Sequence, residues 1–270
     1  YALSALLEKK FNFGLDLSAS YTFGHAKSVN DGTSSVANSN WKYNYSVDTN
    51  SKDEVSFSKF DVPHRVMLQA SYNSPKYWNG WTSTTIAVIY NGFSGSRYSL
   101  TINEKKSDFN SDGQYGNSLL YIPTEKELDQ MLFTSVDSKG EPLKMTAEES
   151  RAAFKQWLEN DSYAKNHRGQ FAERNSNLSK WEHQIDLHLA QHIYNVQGVG
   201  KLEFTVDILN FANMLNKKWG ASYDSAFNLS PVTLEYFKDG KAYYSYNKAE
   251  IKKSDIGSRW HCQVGVRLTF

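Results

Sequence analysis

The chain has 270 residues, 40% hydrophobic and 14% aromatic, with a formal net charge of +1. That length can bury a sizeable core, while near-neutrality without a basic stripe speaks against a nucleic-acid partner. The single cysteine, Cys262, excludes an intrachain disulfide and a zinc site built from several thiolates. No apolar run approaches the length of a membrane helix, so the chain crosses a bilayer as strands or not at all. Tyr1 opens inside a strand-like pattern with neither an initiator Met nor a secretory signal, so the expectation is a segment of a longer protein.

Period-2 alternation predicts seven strands, taken here in chain order. The first covers Tyr1 to Lys9. Residues 12 to 25 place Phe13, Leu15, Leu17, Ala19, Tyr21 and Phe23 opposite Asp16, Ser18, Ser20 and Thr22. Residues 63 to 73 set Val66, Leu68, Ala70 and Tyr72 against Arg65, Gln69 and Ser71, and residues 81 to 98 carry Ile86, Val88 and Tyr90 on one face. Residues 180 to 194 set Trp181, His183, Ile185, Leu187, Leu189 and Ile193 against Glu182, Gln184, Asp186, His188 and His192. Residues 201 to 211 alternate Leu202, Phe204, Val206 and Ile208 with Lys201, Glu203, Thr205 and Asp207. In the last strand, Trp260, Cys262, Val264, Val266, Leu268 and Phe270 share the apolar side.

The connections alternate strictly between short and long. Lys9 to Phe11, Asn73 to Gly80 and Asn195 to Gly200 are short, whereas 28 to 61, 99 to 178 and 212 to 257 are long. Short turns on one rim and long loops on the other predict an antiparallel transmembrane β-barrel segment, with periplasmic turns and extracellular loops. Phe270 then lies in the periplasm. Trp181, Trp260, Tyr21 and Phe23 fall at the outer interface, and Trp81, Tyr194 and Phe270 at the periplasmic rim, as two aromatic girdles. The competing reading is a soluble sandwich whose core these rings anchor.

The closing strand carries Gln263, Gly265, Leu268 and a terminal Phe270, which resembles the signal by which outer-membrane barrels are recognised for insertion by the barrel-assembly machinery. Four further motifs extend the likeness. Phe60-Asp61-Val62-Pro63-His64-Arg65, Gly116-Asn117-Ser118-Leu119-Leu120-Tyr121-Ile122-Pro123, Gln184-Ile185-Asp186-Leu187-His188-Leu189-Ala190-Gln191, and the run from Leu209 to Gly220 stand in order before that signal. Together the chain resembles the C-terminal barrel segment of TonB-dependent outer-membrane receptors, especially the Oar-like subgroup. The resemblance spans essentially all residues. It implies the last seven strands of a 22-stranded barrel, in which the plug, the TonB-contacting box and the earlier strands lie outside this chain.

The loops offer little chemistry. Asp108, Asn110 and Asp112, with Gly113 at the sixth position, begin as a calcium loop of the EF-hand kind does. The twelfth position is Leu119 rather than Glu, and Ser118 stands where related receptors tend to carry an acid, so a polar loop tip is the alternative. His188 and His192 share a face, but four strand residues separate them by roughly 13 Å, which suits a solvated wall better than one metal ion. Glu182 and Asp186 are too far apart for a retaining glycosidase pair. No nucleophile elbow, zincin helix or phosphate loop is present, so no enzyme is expected. Thr124 with Glu127 and Thr146 with Glu149 form capping boxes, the second opening a helix with Ala153, Phe154, Trp157 and Leu158 on one face. That face either packs on its own loop or meets a ligand or a surface lipoprotein. Asp239-Gly240 predicts a hairpin between Thr233 to Phe237 and Ala242 to Tyr246 that extends the barrel wall above the membrane.

What the resemblance implies is an outer-membrane receptor segment for a large or scarce nutrient (a peptide, glycan or chelate), energised through the TonB complex. A passive pore or adhesion barrel is the second reading, and a soluble carbohydrate-binding sandwich the third. Neither cofactor nor catalytic residue is expected, apart from the calcium alternative.

Overall fold

The computed structural model describes residues 1–48, 54–105, 107–109, 111, 113–196, 200–224 and 227–270. The alternating segments become one antiparallel sheet of seven strands: β1 (Ala2–Lys10), β2 (Leu15–Gly24), β3 (His64–Asn73), β4 (Thr82–Phe93), β5 (Glu182–Val196), β6 (Gly200–Leu209) and β7 (His261–Thr269). Each pairs only with its neighbours in the chain, and β1 and β7 are open edges that do not meet.

The register lines up apolar side chains in rows across the sheet. Leu17, Ala70, Val88, Leu187, Ile208 and Cys262 form one row, and Leu15, Tyr72, Ile86, Leu189, Val206 and Val264 the next toward the short turns. The intervening rows are wet, for example Asp16, Ser71, Ala87, His188, Asp207 and Gln263. Because side chains alternate with period 2, one face is greasy and the other polar.

Among the described residues most of that greasy face is left uncovered. Leu3, Leu7, Leu17, Leu68, Ile86, Val88, Phe204, Val264, Val266 and Leu268 are all exposed. No second sheet lies against the seven strands among the described residues, contrary to what a sandwich requires. A contiguous apolar surface of this extent marks an interface, here a wall that needs lipid.

Tight turns close the short rim. Gly14 (φ 96°) sits where an added Cβ would fall 2.1 Å from the Asn73 carbonyl oxygen, so only glycine fits between β2 and β3. At the next turn Trp78, Asn79 and Gly80 all take positive φ.

The protein's hydrophobic core lies in the long connections, not in the sheet. Leu100, Ile122, Leu128, Phe154, Leu158 and Val232 are essentially inaccessible to solvent, and Tyr98, Leu120, Phe133, Ala164 and Ala172 pack with them. Each large side chain so buried contributes about 1.5–3 kcal/mol. Helices α1 (Ala37–Lys42), α2 (Glu125–Gln130), α3 (Ala147–Asn160) and α4 (Phe211–Leu215) lie in these connections, and both expected capping boxes form, at Thr124/Glu127 and Thr146/Glu149. Phe154 and Leu158 of α3 face the core of this loop unit, so that helix packs on its own loops.

Two expectations change. The strand read over 81 to 98 ends at Phe93, and Arg97–Leu100 instead pairs antiparallel with Asn177–Leu178 and parallel with Asn228–Leu229. The cause is a close approach at Gly95, where a Cβ would lie 1.9 Å from Ser179 Oγ, so the backbone leaves the wall there. The hairpin Val232–Lys238/Lys241–Tyr246 forms around Asp239 (φ 50°) and Gly240 (φ 71°), as read. It does not prolong the wall. It pairs with Leu132–Phe133 in a separate sheet, because Val232 and Leu234 are buried in the loop core.

Candidate functional site

Three buried ionic groups fasten the loops over the rim of the sheet. Asp61, from the Phe60–Arg65 motif, accepts from the Ala26 backbone N–H at 2.7 Å and from Arg97 Nε at 2.7 Å, with His25 Nδ1 3.3 Å away. Arg97 also donates to the Asn175 carbonyl at 3.1 Å and lies 3.7 Å over the Phe57 ring. Burial pushes the Asp61 carboxyl up, and the hydrogen bonds from Ala26, Arg97 and His25 together bring it below the usual carboxylate range. Glu104 is wholly buried, and its two oxygens accept from the backbone N–H groups of Phe109, Gly116, Asn117 and Ser118 and from Ser118 Oγ. The motif at 116–118 therefore wraps around a carboxylate supplied by Glu104, and Ser118 serves as its donor. Arg174 donates to Asn44 Oδ1 and to the carbonyls of Ser28, Val29 and Glu54, tying the first long loop to the second.

Beside Arg174 lies a crevice of about 260 Å³ to which all three long loops contribute. Tyr43 and Tyr45 come from the first loop, Asn175 from the second and Phe227 from the third. Asp31 and Lys59 complete it. Asp31 accepts from Ser28 Oγ at 2.7 Å and from the Lys59 backbone N–H at 3.0 Å, while Lys59 Nζ sits 4.5 Å over the Phe227 ring. Burial pushes the Asp31 carboxyl up, but hydrogen bonds from Ser58, Lys59 and Ser28 leave it lowered. Burial pushes the Tyr45 phenol up to about 12, so it stays a neutral hydroxyl. Aromatic faces, amide edges and one fixed carboxylate at a concave junction suit recognition of a polar organic ligand.

Comparison with known families finds that residues 1–227 match the model of an outer membrane beta barrel domain. The chain belongs to that family. No curated protein and no solved structure matches it. As an outer-membrane barrel wall, the chain turns the greasy face of its seven strands to lipid and the polar face inward.

On this barrel wall Gln263, Gly265 and Leu268 lie on the edge strand β7, and Phe270 follows it directly. Gln263 and Gly265 oppose Asp207 and Thr205 on the polar face, Leu268 opposes Leu202 on the lipid face, and Phe270 is fully exposed. A Cβ at Gly265 would lie 2.5 Å from Thr205 Oγ1. Of the calcium-loop residues, Asn110 and Asp112 lie outside the described residues. Asp108 Oδ2 accepts from the Gly113 N–H at 2.8 Å, and Gly113 takes the sharp turn at φ 80°. His188 and His192 do not converge. His188 Nδ1 lies 2.6 Å from Asp207 Oδ1, and His192 Nδ1 lies 3.0 Å from Glu203 Oε2. The aromatic girdle at the loop rim is continuous through Phe23, His64, Trp181 and His183, with ring centroids 5.2–6.1 Å apart.

The sequence alone gives Asp61 and the 116–118 motif no task, and neither Glu104 nor Arg174 stands out in it. An acid ahead of a Gly-Asn-Ser run and an Arg within a polar stretch have no periodic signature. Glu104 stands between Asn103 and Lys105, so nothing in its local sequence hints at burial.

Proposed function

We propose that this chain forms the C-terminal wall and outer loops of a TonB-dependent receptor that takes up a large or scarce nutrient across the outer membrane. The observation that carries this reading is the loop unit itself. The second and third long connections share a hydrophobic core, and all three on that rim build one crevice between them. A simple pore has no need of a folded, core-bearing structure above its mouth. The resemblance in the motifs at 60–65, 116–123, 184–191 and 209–220 supports the same reading.

In this proposal the loops face the outside of the cell and Phe270 the periplasm. The crevice lined by Tyr43, Tyr45 and Phe227 makes first contact with a peptide, glycan or chelate, with a surface lipoprotein as a candidate lid. Energy reaches the barrel through a plug and TonB-contacting segment outside this chain, and the barrel-assembly machinery reads the closing strand.

The full protein should be non-conducting in planar bilayers and should bind the periplasmic domain of TonB. A steady open channel without TonB binding would select the passive pore and refute energised uptake.

A further inference from the structure

We infer that the run from Leu209 to Tyr223 builds a site for the phosphate-bearing headgroup of a membrane lipid at the loop rim of the barrel. The site is a cavity of about 330 Å³ lined by Trp181, His183, Ile185, Lys218, Trp219 and Tyr223. It stands on the lipid face, because Ile185 shares a row with Leu7, Ala19, Leu68 and Tyr90 of the greasy wall.

The segment is held in place by its asparagines. Asn210, in the left-handed region at φ 54°, donates through Nδ2 to the carbonyls of Gly220 at 2.8 Å and Ser258 at 2.9 Å, while its own N–H bonds Asp186 Oδ1 at 2.7 Å. Asn213 Nδ2 donates to the Trp219 carbonyl at 2.9 Å, and Asn216 Oδ1 accepts from the Lys218 N–H at 2.9 Å. The amides thus serve the backbone and leave the side chains of Lys218 and Trp219 free to face outward. Trp219 is 55% exposed, an unusual cost for an indole unless lipid covers it.

Charge decides the occupant. Lys218 has no ion-pair partner among the described residues; of the two acids nearby, Glu182 is buried and accepts from the Tyr223 N–H at 3.0 Å, and Asp224 follows Tyr223 at the surface with its N–H bonded to the Lys252 carbonyl. Lys180 Nζ lies 5.6 Å over the Tyr223 ring, and Lys253 Nζ donates to the Lys217 carbonyl, which adds further positive charge nearby. Indole rings at the interface, an unpaired ammonium and a floor continuous with the lipid-facing wall together fit an anionic headgroup whose acyl chains run down over Ile185 and Leu187. The inference needs the barrel wall and is independent of energised uptake.

The test is native mass spectrometry of the full protein in detergent with phosphatidic acid, with the diacylglycerol of the same chains, and with inorganic phosphate. Phosphatidic acid should be retained over diacylglycerol. Lys218→Gln should weaken that retention about tenfold, the effect of losing one charge-assisted contact, and Lys218→Arg should restore it. Trp219→Ala should weaken both lipids, and Lys238→Gln on the distant hairpin should change nothing. Equal retention of the two lipids, unchanged retention by Lys218→Gln and Trp219→Ala, or saturation by inorganic phosphate alone would overturn the proposal.

Discussion

Val206 tests the barrel wall most directly. It lies six residues along β6 from Gly200, in a row with Leu189 and Val264. A strand rising ~3.4 Å per residue and tilted ~40° climbs about 2.6 Å per residue. Val206 therefore sits roughly 16 Å above the short turns, close to the middle of a hydrocarbon core of ~25–30 Å. An Arg there, facing lipid, should cost about 2–4 kcal/mol, or roughly 30- to 700-fold in the folding equilibrium. Thr205, one residue earlier, faces the polar interior opposite Gly265, whose missing side chain leaves room. Thr205→Arg should stay within about 0.5 kcal/mol of the parent. Denaturant titration of the full barrel folded into vesicles, followed by its heat-modifiable gel band, measures both. Equal destabilisation by the two variants, or a larger loss at Thr205, would refute the assignment of faces.

Asp61→Asn strips Arg97 of its counter-charge in a buried site and should destabilise the loop unit by about 3–5 kcal/mol, read as faster proteolysis between β2 and β3. Because the Asp61 carboxyl is lowered in the folded protein, its stabilisation is complete above the unfolded value near ~4 and is lost as pH falls through the folded value; the parent should show that acid-side loss and Asp61→Asn should not. Phe154→Ala, at a fully buried position, should cost about 3–5 kcal/mol and open the loop unit to trypsin while the seven strands keep their protection from hydrogen exchange. Phe270→Ala or Gly265→Asp should lower the amount of folded barrel in the outer membrane, and normal levels of both would count against a signal in the last strand. A cysteine at Ser138 should react with an impermeant maleimide on intact cells, one at Asn79 only after the outer membrane is opened, and native Cys262 in neither case; the reverse pattern would invert the proposed topology.

The wall was legible because it obeys one rule. A lipid face and a wet face force period-2 alternation, and little tertiary packing competes with it, so six of the seven strands match the reading within three residues at both ends, and the fourth matches at its start. The failures lie where that rule stops. Beyond Phe93 the run Ser94-Gly95-Ser96-Arg97 carries no apolar residue to mark a face, and close contact with Ser179 takes the backbone out of the wall. The hairpin at 232–246 was visible through Asp239-Gly240, whose turn chemistry is local. Its partner, Leu132–Phe133, lies some hundred residues away and has no local mark. The crevice was invisible for the same reason, since Tyr43, Arg174 and Phe227 meet only once three loops fold together.

The Arg97–Leu178 pairing also bears on the order in which the barrel can form. Joining β4 to β5 means closing the excursion from Ser94 to Trp181, and for a slack loop of about 90 residues the length-dependent entropy alone opposes this by about 4 kcal/mol. The loop unit removes that obstacle from the sheet. Within it Ser179 N–H meets the Ser96 carbonyl at 2.9 Å and Leu178 pairs with Arg97, so the ends of β4 and β5 already stand side by side once the unit has folded. The strands can then zip from the loop rim toward the short turns as if joined by a hairpin. Maturation should accordingly be seeded at the loop rim, with the β1–β4 and β5–β7 halves delivered to each other by the folded loop unit.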